Sequence, residues 1–179
     1  MKVGLTQFCV GPDPKTNAKQ LESLVLQGID DGCEFILTPE ACNVIQPDRA
    51  VLQQTVSHAE EDPVFQMAQR VAAERQVFIC LGSLLVQGGG EGKLVNRQIL
   101  LDPAGAVINS YDKIHLFDVE ITGGTVYRES DTVSRGDEVV TADSLLDIDR
   151  TVEQPEARPL AEQPIFSEPV AVVEEATRG

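Results

Sequence analysis

The sequence predicts an α/β fold, because strand-like and helix-like periods alternate from the first residues and each helix-like stretch carries its own start signal. Two Asp-Pro pairs, Asp13-Pro14 and Asp62-Pro63, supply those signals. Each offers a carboxylate to cap free amide groups and a proline whose fixed φ suits the first helical position. The third observation is the region from Val77 to Tyr111, where apolar and β-branched runs are separated by turn sequences.

Taken in order, Val3 to Val10 reads as a strand closed by Gly11-Pro12-Asp13-Pro14. Leu21, Leu24, Val25, Gly28 and Ile29 then recur at spacings of three and four, the pattern of an amphipathic helix ending near Asp31-Gly32. Phe35-Ile36-Leu37 is a short strand stopped by Thr38-Pro39-Glu40, since the residue before proline leaves helical geometry and proline cannot donate to a ladder. Pro47 to Ala59 is weakly helical. Val64, Met67, Ala68, Val71 and Ala72 define a second firm helix ending near Arg75-Gln76. Val77 to Val86 reads as a buried strand, and Gly88 to Gly92 as a flexible hairpin turn, with no Lys-Ser/Thr after it to make a phosphate loop. Leu94 to Leu101 and Ala106 to Tyr111 flank the turn sequence Asp102-Pro103-Ala104-Gly105 and form a second hairpin. Beyond Asp118 a loop is expected as far as a short strand, Glu138 to Ala142.

From about Ser144 the composition changes. Residues 145–179 carry 8 acidic and 3 basic residues and four of the ten prolines, so this segment is expected to be a largely disordered tail, with Ala171-Val172-Val173 able to pair as an edge strand. The chain as a whole has 29 acidic and 14 basic residues, a net charge of −15, which excludes nucleic acid and anionic membranes as natural partners. Cys9, Cys33, Cys42 and Cys80 form no Cys-x-x-Cys pair, so they read as free thiols in a reducing cytoplasm. No apolar run reaches the ~20 residues of a membrane helix, and the N-terminus lacks a signal-peptide core. Cytoplasmic localisation is the expectation.

Chemistry in such a sheet gathers where strands end. Glu40 and Lys113 stand at two such ends and Glu129 in the loop beyond; singly, each is an ordinary surface residue. The run Tyr111-Asp112-Lys113-Ile114-His115-Leu116-Phe117-Asp118, with Val3-Gly4-Leu5-Thr6-Gln7 before it and Tyr127-Arg128-Glu129-Ser130 after it, resembles the nitrilase superfamily, the carbon–nitrogen hydrolases. The resemblance covers roughly residues 1–143 and is greatest to the branch of omega-amidases and deaminated-glutathione amidases.

That resemblance implies the N-terminal half of a nitrilase-type α-β-β-α sandwich over residues 1–143, with a divergent tail at 144–179. It implies hydrolysis of a small-molecule amide through a Glu-Lys-Cys triad and a thioester. Glu40 would be the general base, Lys113 the oxyanion-stabilising cation and Glu129 a support for substrate and lysine; no cofactor or metal is implied. In the family the nucleophilic cysteine lies on a segment after Asp143, whereas this sequence has no cysteine after Cys80. The expectation is therefore a truncated, inactive family member, with a non-catalytic half-domain that dimerises or joins a full-length relative as the alternative. Cys42, two residues from Glu40, is the only substitute nucleophile the sequence offers near the site. His115 lies in the motif without a triad role, and His58 is expected on a helix surface.

Overall fold

The computed structural model describes residues 1–121, 125–142 and 170–173. β1 (Val3–Thr6), α1 (Pro14–Asp30) and β2 (Phe35–Leu37) come first, and α2 (Arg49–Thr55) and α3 (Pro63–Arg75) lead into β3 (Phe78–Gln87). β4 (Leu94–Leu101) and β5 (Val107–Asp112) follow, then β6 (Asp118–Ile121), β7 (Thr125–Arg128), β8 (Val133–Ser134) and β9 (Val170–Val173). The main sheet has the order β5-β4-β3-β2-β1-β9, with β8 beside β4; β6 and β7 form a separate two-stranded sheet. β1, β2 and β3 are mutually parallel because helices connect them, while β3, β4 and β5 are antiparallel because tight turns do.

Both predicted helix starts are present. The Asp13 carboxylate accepts from Thr16 N at 3.0 Å, and Asp62 Oδ1 accepts from Val64 N at 2.8 Å and Phe65 N at 3.2 Å. Asp48 caps the weakly helical stretch in the same way, which confines it to one short helix. α1 and α3 lie on one face of the sheet. There Leu21, Val25, Val64 and Val71 pack against Ile36, Ile79, Leu81, Leu84, Ile99 and Leu101, all 0–3% exposed. Each such side chain contributes about 1.5–3 kcal/mol of burial, which fixes the strand faces. The alternate positions turn the other way, and Phe35 stacks on Phe78 across that second face, with ring centroids 6.4 Å apart.

Three sequence expectations are corrected. β1 stops at Thr6 instead of Val10, because the Asn17 side chain accepts from Gly11 N and donates to Gly11 O, drawing the chain off the sheet toward α1. The loop expected after Asp118 contains the β6–β7 hairpin. The Asp118 carboxylate closes its base by accepting from Ser130 N at 3.0 Å and Ser130 Oγ at 2.7 Å, and Phe117 packs on Tyr127. Glu138 to Ala142 is not a strand: it runs past β5 with Asn109 Nδ2 donating to Thr141 O in place of a backbone ladder. The expected edge pairing of Ala171-Val172-Val173 is found, with β9 antiparallel to β1 from Val3 opposite Val173 to Thr6 opposite Val170. The rest of the expected disordered tail, residues 144–169 and 174–179, lies outside the described residues.

The loop after β2 is docked onto a register shift in β3 between Leu81 and Leu84. Thr38 N donates to Cys80 O, Gly82 N to Thr38 Oγ1, Ala41 N to Ser83 Oγ and Cys42 N to Ser83 O, at 2.8–3.0 Å. Such a bulge re-aims the chain beside it. It works here because Gly82 has no side chain: a Cβ at that position would stand 2.1 Å from the Thr38 carbonyl oxygen. Gly82→Ala is therefore expected to destabilise the fold by about 1–3 kcal/mol and to displace the 38–42 loop. Urea denaturation measures the first effect; an unchanged midpoint would show that the loop moves aside without cost.

Candidate active site

Three separate elements deliver the predicted residues to one place. Glu40 sits in the docked loop, followed by Ala41 in the left-handed region at φ 49°. Lys113 lies one residue beyond β5, its N–H donating to Asn96 O at 2.9 Å and its carbonyl accepting from Gly136 N at 2.9 Å. Glu129 follows β7, its N–H donating to Phe117 O and its Oε2 accepting from Phe117 N at 2.7 Å. Lys113 Nζ donates to Glu40 Oε1 at 2.8 Å and to Glu129 Oε2 and Oε1 at 3.0 and 3.4 Å.

Sequence reasoning missed Asn96. Its side chain donates to Glu40 Oε1 at 2.8 Å and reaches Glu129 Oε1 at 3.5 Å. The available signal was an amide set in an otherwise apolar strand, 4% exposed once folded, where a polar group needs partners. The neighbouring positions face the other way: Arg97 is directly opposite Asp112 and donates to it twice, at 2.7 and 2.8 Å. That bidentate pair fixes the strand end just before Lys113.

The charges hold one another. Hydrogen bonding to Lys113 is the largest influence on the Glu40 carboxyl; burial opposes it, and with the further help of the Asn96 bond and the lysine charge the carboxyl stays below the ordinary glutamate range. Burial works against the Lys113 ammonium, but its bonds to Glu40 and Glu129 outweigh it and raise the pKa above the ordinary lysine value. Glu40 is the open member, with a side chain 59% exposed against 26% for Lys113 and 12% for Glu129. All three line a cavity of about 480 Å³, whose rim includes Ile45, Phe117 and Tyr127.

No cysteine lines that cavity. Cys42 is fully buried in the helix-side core, its Sγ bonded to Thr38 Oγ1 and Ser83 O, and burial pushes its pKa up to about 12. It is therefore a poor nucleophile despite being two residues from Glu40. Cys80 is buried beside Gln98 with its pKa also raised by burial. Both histidines are exposed; His58 precedes a single 3-10 turn, Ala59–Glu61. Among the described residues no group of three or more His, Cys, Asp or Glu side chains is arranged to hold a metal ion.

Residues 2–148 match the carbon-nitrogen hydrolase family. Among curated proteins, the chain is 31% identical to a hydrolase of Schizosaccharomyces pombe over 143 residues, covering 80% of this chain and 44% of that protein. It is 29% identical to a deaminated glutathione amidase of Yersinia enterocolitica, covering 79% and 50%, and 27% identical to an omega-amidase of Xenopus laevis, covering 76% and 48%. The chain thus spans about half the length of the curated relatives it matches. Among solved structures, the NitFhit protein of C. elegans superposes with a TM-score of 0.68 at 21% identity, over 78% of this chain and 34% of that one. An amidase of Nesterenkonia sp., recorded with acrylamide added at its active-site cysteine, gives 0.61 at 23% identity over 77% and 50%. These likenesses establish a partial nitrilase-type fold.

The Lys113 cluster has a defined pH window. Glu40 contributes stability above its ordinary value of 4.5 and loses it as pH falls through its lower folded value; Lys113 contributes below 10.5 and loses it as pH rises through its higher folded value. Lys113→Met leaves the largely enclosed Glu129 without its cation and should cost about 1–3 kcal/mol near neutral pH, with Glu40 adding little because it is exposed. The gap between wild type and variant should narrow only slightly between neutral pH and an acid pH beyond the lowered folded value of Glu40, since the exposed Glu40 carries little of it. Urea melts at the two pH values measure both effects.

Proposed function

The chain belongs to the carbon-nitrogen hydrolase family, and from that premise we propose that Glu40, Lys113 and Glu129 form the charged part of a site for hydrolysing a small-molecule amide. The observation that carries this reading is the Lys113 ammonium, held 2.8 Å from Glu40 and 3.0 Å from Glu129 on the wall of one cavity. Glu40 is the base that takes the proton from a thiol. Lys113 is the fixed positive charge on which the oxyanion of the tetrahedral intermediate develops, and Glu129 holds that charge in place.

The thiol is the part these 179 residues do not bring to the cavity. Removing the nucleophile from a comparable covalent triad costs roughly a million-fold in turnover, so we propose that the chain alone does not hydrolyse amides. Four free cysteines support a reducing, cytoplasmic setting. No helix among the described residues is long and apolar enough to cross a membrane.

A second reading is that the chain is a non-catalytic partner, a half-domain that forms dimers or joins a full-length relative. It is favoured by the apolar rim, where Ile45, Phe117 and Tyr127 are 54–57% exposed. Purified chain incubated with a short omega-amide is expected to release no ammonia above the Lys113→Ala background. Sustained release that disappears in Cys42→Ala would overturn the inactive reading, and co-purification with a full-length family member would favour the second.

A further inference from the structure

Asn96 touches every member of the charged cluster. Its backbone carbonyl accepts the Lys113 N–H at 2.9 Å, and its side chain donates to Glu40 at 2.8 Å and Glu129 at 3.5 Å. Both side-chain partners are carboxylate oxygens, which accept only, so the amide nitrogen must face them. The neighbouring bonds are uneven in a way that matters. Glu40 Oε1 receives both Lys113 Nζ and Asn96 Nδ2, while Glu40 Oε2 receives no hydrogen bond from any described residue.

Two carboxylates that share one ammonium carry a net negative charge, and that charge favours the uptake of a proton by one of them. A protonated Glu40 cannot act as a base. Here the place of that proton is taken by an amide N–H, which donates to carboxylate oxygens and does not dissociate. We propose that Asn96 is a positioning residue that keeps Glu40 in its carboxylate form and leaves Oε2, the oxygen turned from the lysine, as the one that takes a proton from a nucleophile. The inference rests on the reading of Glu40 as the base.

The direction of the Glu40 titration agrees: the Lys113 bond lowers it most, burial opposes, and the Asn96 bond adds to the lowering. The other ionisable groups around it do not supply a substitute donor. Tyr111 has its hydroxyl accepting from Ile114 N, Arg49 and Arg128 line the same cavity but donate no hydrogen bond to Glu40, and Asp112 is held by its pair with Arg97.

The test reads a carboxyl group and not turnover, so it stands even if the chain hydrolyses nothing. Carbon-13 titration of the Glu40 carboxyl in the full chain is expected to show one transition below the ordinary glutamate value, uncoupled from Glu129. In Asn96→Leu, which keeps the branched shape and removes both N–H donors, the midpoint should move up and the curve should become biphasic as the two carboxylates share a proton. A folded Asn96→Leu protein whose Glu40 midpoint is unchanged overturns the proposal; if that variant does not fold, Asn96→Ala decides by the same criterion. A biphasic Glu40 curve in the wild type also overturns it, whatever the variants do.

Discussion

The site depends on one ammonium group satisfying two carboxylates that the sequence keeps far apart. Lys113 reaches back 73 residues to Glu40 and forward 16 to Glu129. Closing loops of such length costs conformational entropy, and three hydrogen-bonded charges would not hold them alone. Each backbone is therefore fixed independently of the charges: the 38–42 loop by the β3 bulge, Lys113 by Asn96 O and Gly136 N, and Glu129 by its own N–H on Phe117 O. The charges then meet in a frame already built, which is what a preorganised electrostatic site requires.

What the sequence made legible follows from the range of the forces involved. Asp13 and Asp62 act on amides two or three residues away, so the helix starts could be read from adjacent letters. Phe35-Ile36-Leu37 and the Leu94 to Leu101 run likewise declared themselves by local period. The end of β1 did not, because it is set by Asn17, a residue outside the strand whose side chain captures Gly11. The β6–β7 hairpin did have a local signal, Val119 and Ile121 alternating with Asp118 and Glu120 ahead of Gly123-Gly124, but its strands are only four residues long and its closure by Asp118 and Ser130 spans twelve positions. Glu138 to Ala142 had the composition of a strand but no ladder partner, and composition alone cannot supply one.

The site residues were legible only as parts of a motif, because a glutamate after Thr-Pro or a lysine at a strand end is common on any surface. Asn96 escaped because its role depends on burial between two carboxylates, a tertiary fact. The cysteines show the reverse: Cys42 is close to Glu40 in sequence, yet alternation around the docked loop sends its sulfur into the helix-side core and sets it apart from the cavity chemically as well as spatially.

The pairing of β9 with β1 bears on how the molecule assembles. Val3 lies opposite Val173, so β1 completes its hydrogen bonds on that side only with a strand far along the sequence, well after β2 and β3 have been made. The β1-α1-β2 unit and the β3-β4-β5 meander draw on nearer neighbours and can form early, in the order of synthesis. Until β9 has been made the outer edge of β1 is therefore an unsatisfied row of amides and carbonyls, and that interval is when this chain is most open to pairing with a strand that is not its own.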